Sequence, residues 1–148
     1  MTTGTLLGWG YEGRTLDDFL ATLRDWRIDT VADVRLTPIS RKKGFSKTRL
    51  REACESVGTA YVHLRGLGNP KDNRAGFARE RRDDGGARQR FHEEVLSTEI
   101  GAEELHVLAS LRDDGKRILV LCFEADESCC HRREILSAVR SLELSEIR

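Results

Sequence analysis

The sequence contains no apolar run that approaches the length of a membrane span, and it carries no excess of charge of either sign. Among its 148 residues, 25 lysine and arginine residues balance 25 aspartate and glutamate residues, so the formal net charge is zero. A spanning helix needs roughly 20 consecutive apolar residues, and broad binding of polyanions needs a basic surface. We therefore expect no contact with a membrane, and any nucleic-acid contact must come from a local basic patch.

Two further patterns are missing, a secretion signal and a paired-cysteine motif. Residues 1–8 lack the basic start and the long apolar stretch of a signal peptide. The four cysteines include no Cys-x-x-Cys pair, which is the spacing that zinc sites commonly use. Cysteines in a chain without a signal peptide are typical of a reducing compartment. We therefore predict a cytoplasmic protein with free thiols, and we predict neither a metal nor a cofactor.

The patterns that are present alternate between short apolar strands and amphipathic helices. Apolar runs predict strands at residues 5–10, 28–34, 59–64 and 118–123, and a segment with helical spacing follows each of the four. This alternation predicts a single α/β domain over residues 1–148. We expect a Rossmann-like three-layer sandwich, with a mostly parallel sheet of about four or five strands and helices on both faces. Right-handed crossovers make 3-2-1-4 the simplest strand order.

A polar segment at about residues 70–90 interrupts the alternation. It contains six arginines, and Gly85-Gly86 divides it. Segments of this kind are either solvated insertions or parts that lie over a site. We predict a partly helical excursion from the domain and leave these two alternatives open.

Three of the four cysteines and one of the four histidines lie where the last strand is predicted to give way to a helix. Cys130 would stand at the helix start beside His131 and Arg132, and a helix dipole, an imidazole and a guanidinium all favour the thiolate. Cys130 is therefore a candidate nucleophile with His131 as its partner. Glu124, one residue beyond the strand, is a candidate general base.

Other interpretations of this cysteine cluster remain open. In one, the thiols are structural and pack beneath a turn. In the other, they bind zinc, although adjacent cysteines followed directly by a histidine do not easily close one tetrahedron. The potential ligands in that case are Cys122, Cys129, Cys130 and His131.

Polar residues also follow the earlier strands, and parallel strands end at one edge of the sheet, where ligands of open α/β proteins bind. Asp33 is the second acid/base candidate, unless it only pairs with Arg35 to fix a loop. The candidates for binding a substrate or an anion are Tyr11, Arg14, Arg35, Ser40, His63 and Arg132. We expect these side chains to converge with Glu124 and the Cys-His-Arg turn.

The combination of motifs resembles the family known as domain of unknown function 488, over nearly the whole chain. The motifs that carry the resemblance are Gly10-Tyr11-Glu12-Gly13-Arg14-Thr15-Leu16-Asp17-Asp18-Phe19, Asp33-Val34-Arg35 with Pro38 and Ser40, Phe45-Ser46, Tyr61-Val62-His63-Leu64 with Leu67-Gly68, Cys122-Phe123-Glu124 and Cys130-His131-Arg132. The family has no established activity. The resemblance therefore implies an α/β domain with a polar site made of the matched residues, but no substrate.

Three functions are compatible with these observations, and they leave open whether the protein is an enzyme. The first is an enzyme that acts on a phosphate-bearing substrate, either a nucleotide or a nucleic acid, at the C-terminal edge of the sheet. The second is a non-catalytic module that binds a nucleotide or a nucleic acid in the same place. The third is a zinc-stabilised adaptor. In each case we expect a monomer or a homodimer.

Overall fold

The computed structural model describes residues 3–78, 86–127 and 130–147 of the chain. Its centre is one four-stranded sheet in which every neighbouring pair of strands is parallel. This confirms the predicted α/β fold and its parallel sheet. The strands are β1 (Thr5–Gly10), β2 (Thr30–Asp33), β3 (Ala60–His63) and β4 (Arg117–Cys122).

Helices precede or follow each strand, as the alternation of patterns predicts. Within the described ranges, no helix is both long enough and apolar enough to cross a membrane. Short 3₁₀ turns occupy Arg65–Leu67 and Lys71–Asn73, and a wider helical turn occupies His92–Leu96. The α-helices are α1 (Leu16–Asp25), α2 (Lys47–Ser56), α3 (Arg74–Ala78), α4 (Gly86–Phe91), α5 (Glu99–Asp113) and α6 (Arg132–Ile147).

The predicted strand order 3-2-1-4 is wrong, because the observed order is β1-β4-β2-β3. The last strand of the chain lies inside the sheet and pairs with both β1 and β2. Burial explains this placement. All residues of β4 after Arg117 are buried, whereas β1 is only partly buried along its first four residues and β3 is partly exposed throughout. A strand covered on both faces and both edges needs the most continuous apolar run.

The two faces of the sheet carry separate hydrophobic clusters, so the sandwich has three layers. Alternate residues of β4 point to opposite faces, as the pleat of a strand requires. Leu119 packs with α1 and α2 on one face, where Phe19 and Leu50 are fully buried. Val120 packs on the other face with α5 and α6, where Leu108 and Ile135 are fully buried.

The arginine-rich excursion contributes to the second of these clusters. Phe77 of α3 and Phe91 of α4 are buried and meet edge to face, with ring centroids 6.1 Å apart. The described part of the segment is therefore anchored in the core rather than fully solvated. Arg79, Arg81, Arg82 and the glycine at 85 lie outside the described residues.

The helices α1 and α2 both begin after a hydroxyl residue, but only the first of these caps its helix. The Thr15 hydroxyl accepts from the Asp18 N–H at 3.1 Å, and the Asp18 carboxylate accepts from the Thr15 N–H. Ser46 precedes α2, but its hydroxyl makes no cap and instead donates to the carbonyl of Ser40 at 3.2 Å. That bond fixes the basic loop at residues 36–45 beside the edge of the sheet.

The strand order makes a prediction for amide hydrogen exchange. Because β4 is paired on both sides, the amides of Ile118, Leu119, Val120 and Leu121 should all exchange slowly. Alternate amides of β1, which has one strand neighbour in the described sheet, should exchange faster. Residue-resolved exchange by NMR checks this, and slow exchange along all of β1 with alternation along β4 would instead support the order 3-2-1-4.

Candidate functional site

A cavity of about 270 Å³ opens at the C-terminal edge of the sheet, around the end of β4. Because β4 lies between β1 and β2, residues that follow three neighbouring strands reach this cavity together. Four of the predicted site residues line it: Tyr11, Arg35, Glu124 and His131. The prediction that polar residues after the strands converge at one edge therefore holds for these four.

Asp33 and Arg35 form a buried, two-pronged ion pair at the end of β2. Nε and Nη2 of Arg35 donate to the Asp33 carboxylate at 2.8 and 2.7 Å, and the hydroxyl of Tyr61 donates to it at 2.5 Å. Burial opposes the charge of the guanidinium, but the hydrogen bonds and the charge of Asp33 outweigh burial and raise the pKa of Arg35. Asp33 is fully buried and does not line the cavity, so its carboxylate is engaged in positioning Arg35.

The remaining nitrogen of Arg35 contacts two aromatic residues, Tyr11 in the cavity and Phe45 beside it. Nη1 donates to the carbonyl of Phe45 at 2.6 Å and lies 3.4 Å from the hydroxyl of Tyr11. The rings of Tyr11 and Phe45 stack with their centroids 4.7 Å apart. Arg35 therefore presents a rigid, largely neutralised edge to the cavity rather than a free charge.

Glu124 lies half-buried on the loop that follows β4 and lines the cavity. Burial raises the pKa of its carboxyl group, against the opposing charges of Arg132 and Arg74. Among the described residues, the carboxylate makes no hydrogen bond to another side chain. A half-buried carboxyl group with a raised pKa is suited to exchange a proton with a ligand.

Arg132 points inward and holds the loop that carries Glu124. Nη1 donates to the carbonyl of Glu124, Nη2 donates to the carbonyl of Ala125 at 3.2 Å, and Nε lies 3.4 Å from the Glu127 carboxylate. The side chain is 1% exposed and does not line the cavity. The structure therefore places this predicted anion binder as a positioning residue.

Glycines on β1 let this loop lie directly against the strand. A methyl group at Gly10 would overlap the Glu124 carbonyl, and one at Gly8 would overlap the Glu127 carboxylate. The glycine-rich end of β1 thus serves close packing with the loop. This requirement is a physical reason for the Gly-Trp-Gly sequence.

His131 is buried at the floor of the cavity and is neutral at pH 7. Burial lowers the pKa of its ring to about 4. Nε2 lies 2.9 Å from the carbonyl of Val34, and because a carbonyl only accepts, Nε2 carries the proton. Nδ1 is then an acceptor, 3.6 Å from the sulfur of Cys130.

The expectation of free thiols is wrong for Cys122 and Cys130, whose sulfur atoms are joined in a disulfide. The start of α6 lies against Cys122, since Nη1 of Arg132 is 2.9 Å from the Cys122 sulfur. Cys130 is 1% exposed and does not line the cavity, so its predicted role as a nucleophile would require reduction and access. Cys54 is a free thiol in the core, where burial raises its pKa to about 12. Cys129 lies outside the described residues.

Besides Arg132, three predicted ligand-binding residues lie outside the cavity. The hydroxyl of Ser40 accepts from the Lys42 N–H at 3.1 Å and shapes the basic loop. Nε2 of His63 donates to the carbonyl of Arg35 at 2.8 Å. Arg14 stacks over the ring of Trp9 at 5.3 Å and lines a neighbouring groove with Lys42 and Lys43.

The sequence interpretation missed Arg74 and Asn69 as cavity residues. Arg74 begins α3 and is exposed, and its side chain has no hydrogen bond or ion pair among the described residues, while its positive charge acts on the pKa of both Glu124 and His131. The arginine-rich composition of residues 70–90 was a signal, but it did not distinguish one arginine from another. Asn69 follows β3 at the same edge and could have been found by the reasoning applied to the other strands.

A larger groove of about 770 Å³ lies at the opposite edge of the sheet, between the end of α1 and the end of α2. None of the predicted site residues lines it. The smaller cavity therefore remains the candidate site, because it collects four of the predicted site residues.

A family model described as "Domain of unknown function DUF488" matches residues 15–139, which is most of the chain. The chain belongs to the DUF488 family. This confirms the resemblance drawn from the motifs, and the matched region includes every cavity residue except Tyr11. No curated protein and no solved structure matches the chain.

The buried ion pair predicts a large loss of stability when one partner is removed. Arg35→Leu leaves the Asp33 carboxylate buried without its cation, which should lower the free energy of unfolding by about 3–5 kcal/mol. Arg49→Leu is the matched control, because Arg49 pairs with Glu52 on the exposed surface of α2, where such a pair contributes about 0–1 kcal/mol. Urea unfolding measures both, and equal effects of the two variants would contradict the buried pair.

Proposed function

We propose that this DUF488 protein is an enzyme that acts on a phosphate-bearing substrate, either a nucleotide or a nucleic acid, in the cavity at the end of β4. The observation that carries the proposal is that two side chains of opposite charge in that cavity are available to a ligand. An arginine and a carboxylate, Arg74 and Glu124, both line it, and neither makes a hydrogen bond to another side chain among the described residues. Convergent polar groups without partners in a concave site are the usual mark of a ligand site.

In this proposal Arg74 is the anion-binding residue. A guanidinium binds phosphate oxygens through two parallel N–H donors. Arg35 lines the same cavity, but its charge is compensated by Asp33 at 2.7 Å. Arg74 therefore supplies the net positive charge, and Arg35 supplies a fixed wall.

A substrate longer than one phosphate group can extend beyond the cavity. The groove lined by Arg14, Lys42 and Lys43 lies next to it, and the ammonium group of Lys42 is 3.5 Å from the carbonyl of Tyr11, a cavity residue. Exposed cations along one path favour a polyanionic ligand. This supports a nucleotide or a nucleic acid over an isolated phosphate ion.

Glu124 is the residue assigned to the chemical step, as the group that takes a proton from the attacking nucleophile or gives one to the leaving group. The assignment rests on its place in the cavity together with Arg74 and on the rigid loop that Arg132 holds. Its removal should cost turnover and spare binding.

Two variants separate binding from catalysis. Arg74→Gln should weaken binding of nucleotides or oligonucleotides by about tenfold or more, because one charge-assisted contact contributes about 1.5–3 kcal/mol. Glu124→Gln should keep binding and lower turnover by about 10²–10⁴-fold, which is the usual contribution of a general acid or base. Thermal stabilisation by a panel of phosphate compounds and product assays on the same panel measure the two quantities.

Arg49→Gln is the control for a general loss of charge, because Arg49 is exposed on α2 and does not line the cavity. Stabilisation by a phosphate compound without turnover, unchanged in Glu124→Gln, would contradict the enzyme and support a binding module. Stabilisation that Arg74→Gln and Arg49→Gln reduce equally would contradict the cavity as the binding site.

A further inference from the structure

We infer that, in its reduced form, the protein binds one zinc-type divalent metal ion through Cys122, Cys130 and His131, at the floor of the cavity. The inference goes beyond the proposed function and can hold or fail without it. All three residues are buried, and their ligand atoms lie within 4.8 Å of one another. Two thiolates and an imidazole form a soft donor set that favours zinc over calcium or magnesium.

The spacing between Cys130 and His131 already fits a tetrahedral ion. Bond lengths of about 2.3 Å for Zn–S and about 2.0–2.1 Å for Zn–N at a tetrahedral angle place the two ligand atoms about 3.6 Å apart. The sulfur of Cys130 and Nδ1 of His131 are 3.6 Å apart in the structure. Neighbours in sequence can therefore share one ion here, and the third ligand comes from the end of β4.

The orientation of His131 is the one that metal-bound histidines adopt. Its Nε2 lies 2.9 Å from the carbonyl of Val34 and donates to it, which leaves Nδ1 unprotonated on the side of the Cys130 sulfur. A metal-bound histidine almost always donates its other N–H to a carbonyl, a carboxylate or a water. The backbone of the strand end thus fixes the ring for binding through Nδ1.

The backbone positions of the two cysteines suit a shared ion better than a direct bond. Their α-carbons are 7.6 Å apart, whereas disulfides usually join α-carbons about 4.4–6.8 Å apart. Two thiolates on one tetrahedral zinc ion have sulfur atoms about 3.8 Å apart. The disulfide and the metal site use the same two sulfurs, so the ion binds only when Cys122 and Cys130 are reduced.

The surroundings favour thiolates and balance the charge of the ion. Nη1 of Arg132 lies 2.9 Å from the Cys122 sulfur, and the backbone N–H of Arg132 lies 3.5 Å from the Cys130 sulfur. Two thiolates neutralise a divalent ion, and the Glu127 carboxylate lies 3.4 Å from Arg132. The ion therefore adds no uncompensated charge to a buried place.

Two of the three ligand residues, Cys122 and His131, line the cavity, whereas Cys130 does not. We therefore expect the fourth coordination position to be reached from the cavity. Three protein ligands with one open position are the arrangement of catalytic rather than structural zinc sites. A water molecule or an anionic ligand in the cavity would complete the coordination.

Metal analysis of the reduced protein tests the inference directly. Protein held in a non-thiol reductant, loaded with Zn²⁺ or Co²⁺ and freed of excess metal, should retain about one equivalent per chain. The Co²⁺ form should show a sulfur-to-metal charge-transfer band. Oxidation with hydrogen peroxide, which accepts the two electrons that the thiolates lose as the disulfide forms, should release the ion, because the disulfide consumes two of its ligands.

Cys122→Ser and His131→Gln should each lower metal affinity by about tenfold or more, while Cys54→Ala, in the opposite hydrophobic cluster, should retain the ion. Retention of the ion in Cys122→Ser would overturn the assignment, and so would its loss in Cys129→Ser alone. Reduced wild-type protein with free thiols and no bound metal would overturn the site itself, even if the ligand-binding variants fail to fold. No readout depends on enzymatic activity, so the proposed function and this inference fail separately.

Discussion

The pairing of β4 on both of its edges is the interaction on which the site depends. Through this pairing, Tyr11 donates its N–H to the carbonyl of Cys122 at 3.3 Å, and Val34 donates to the carbonyl of Leu121 at 3.1 Å. The residues after β1 and β2 are thereby fixed on either side of the end of β4. An edge position for β4 would leave one side of the cavity without a wall.

Two buried arginines convert this backbone arrangement into a rigid site. Arg35 joins Asp33, at the end of β2, to the carbonyl of Phe45. Arg132, at the start of α6, binds the carbonyl of Glu124 in the loop after β4. Both guanidinium groups donate their hydrogen bonds to acceptors inside the protein. The charge offered to a ligand then comes from Arg74, which enters from the segment that follows β3. Buried arginines thus position the site, and the anion binding that we propose for it depends on an exposed arginine.

Much of the fold could be predicted from local sequence patterns, whereas the site could be predicted only in outline. The Thr15 cap and the strand β1 were predictable because they depend on neighbouring residues. The convergence of Tyr11, Glu124 and His131 was predictable because parallel strands end at one edge. The strand order was predicted wrongly, since right-handed crossovers allow several orders, although the continuous apolar run of β4 pointed to the centre of the sheet. The inward turn of Arg132 and the meeting of Cys122 with Cys130 depend on the path of a loop, which hydrophobic periodicity does not describe.

The central claim is that ligands bind in the cavity between the ends of β1, β4 and β2. Mapping of amide chemical-shift changes on ¹⁵N-labelled protein during addition of a nucleotide tests it most directly. The account predicts the largest changes at Tyr11, Arg35, Arg74, Glu124 and His131. Changes centred on Arg24, Arg27 and Val57, in the groove at the opposite edge, would contradict it.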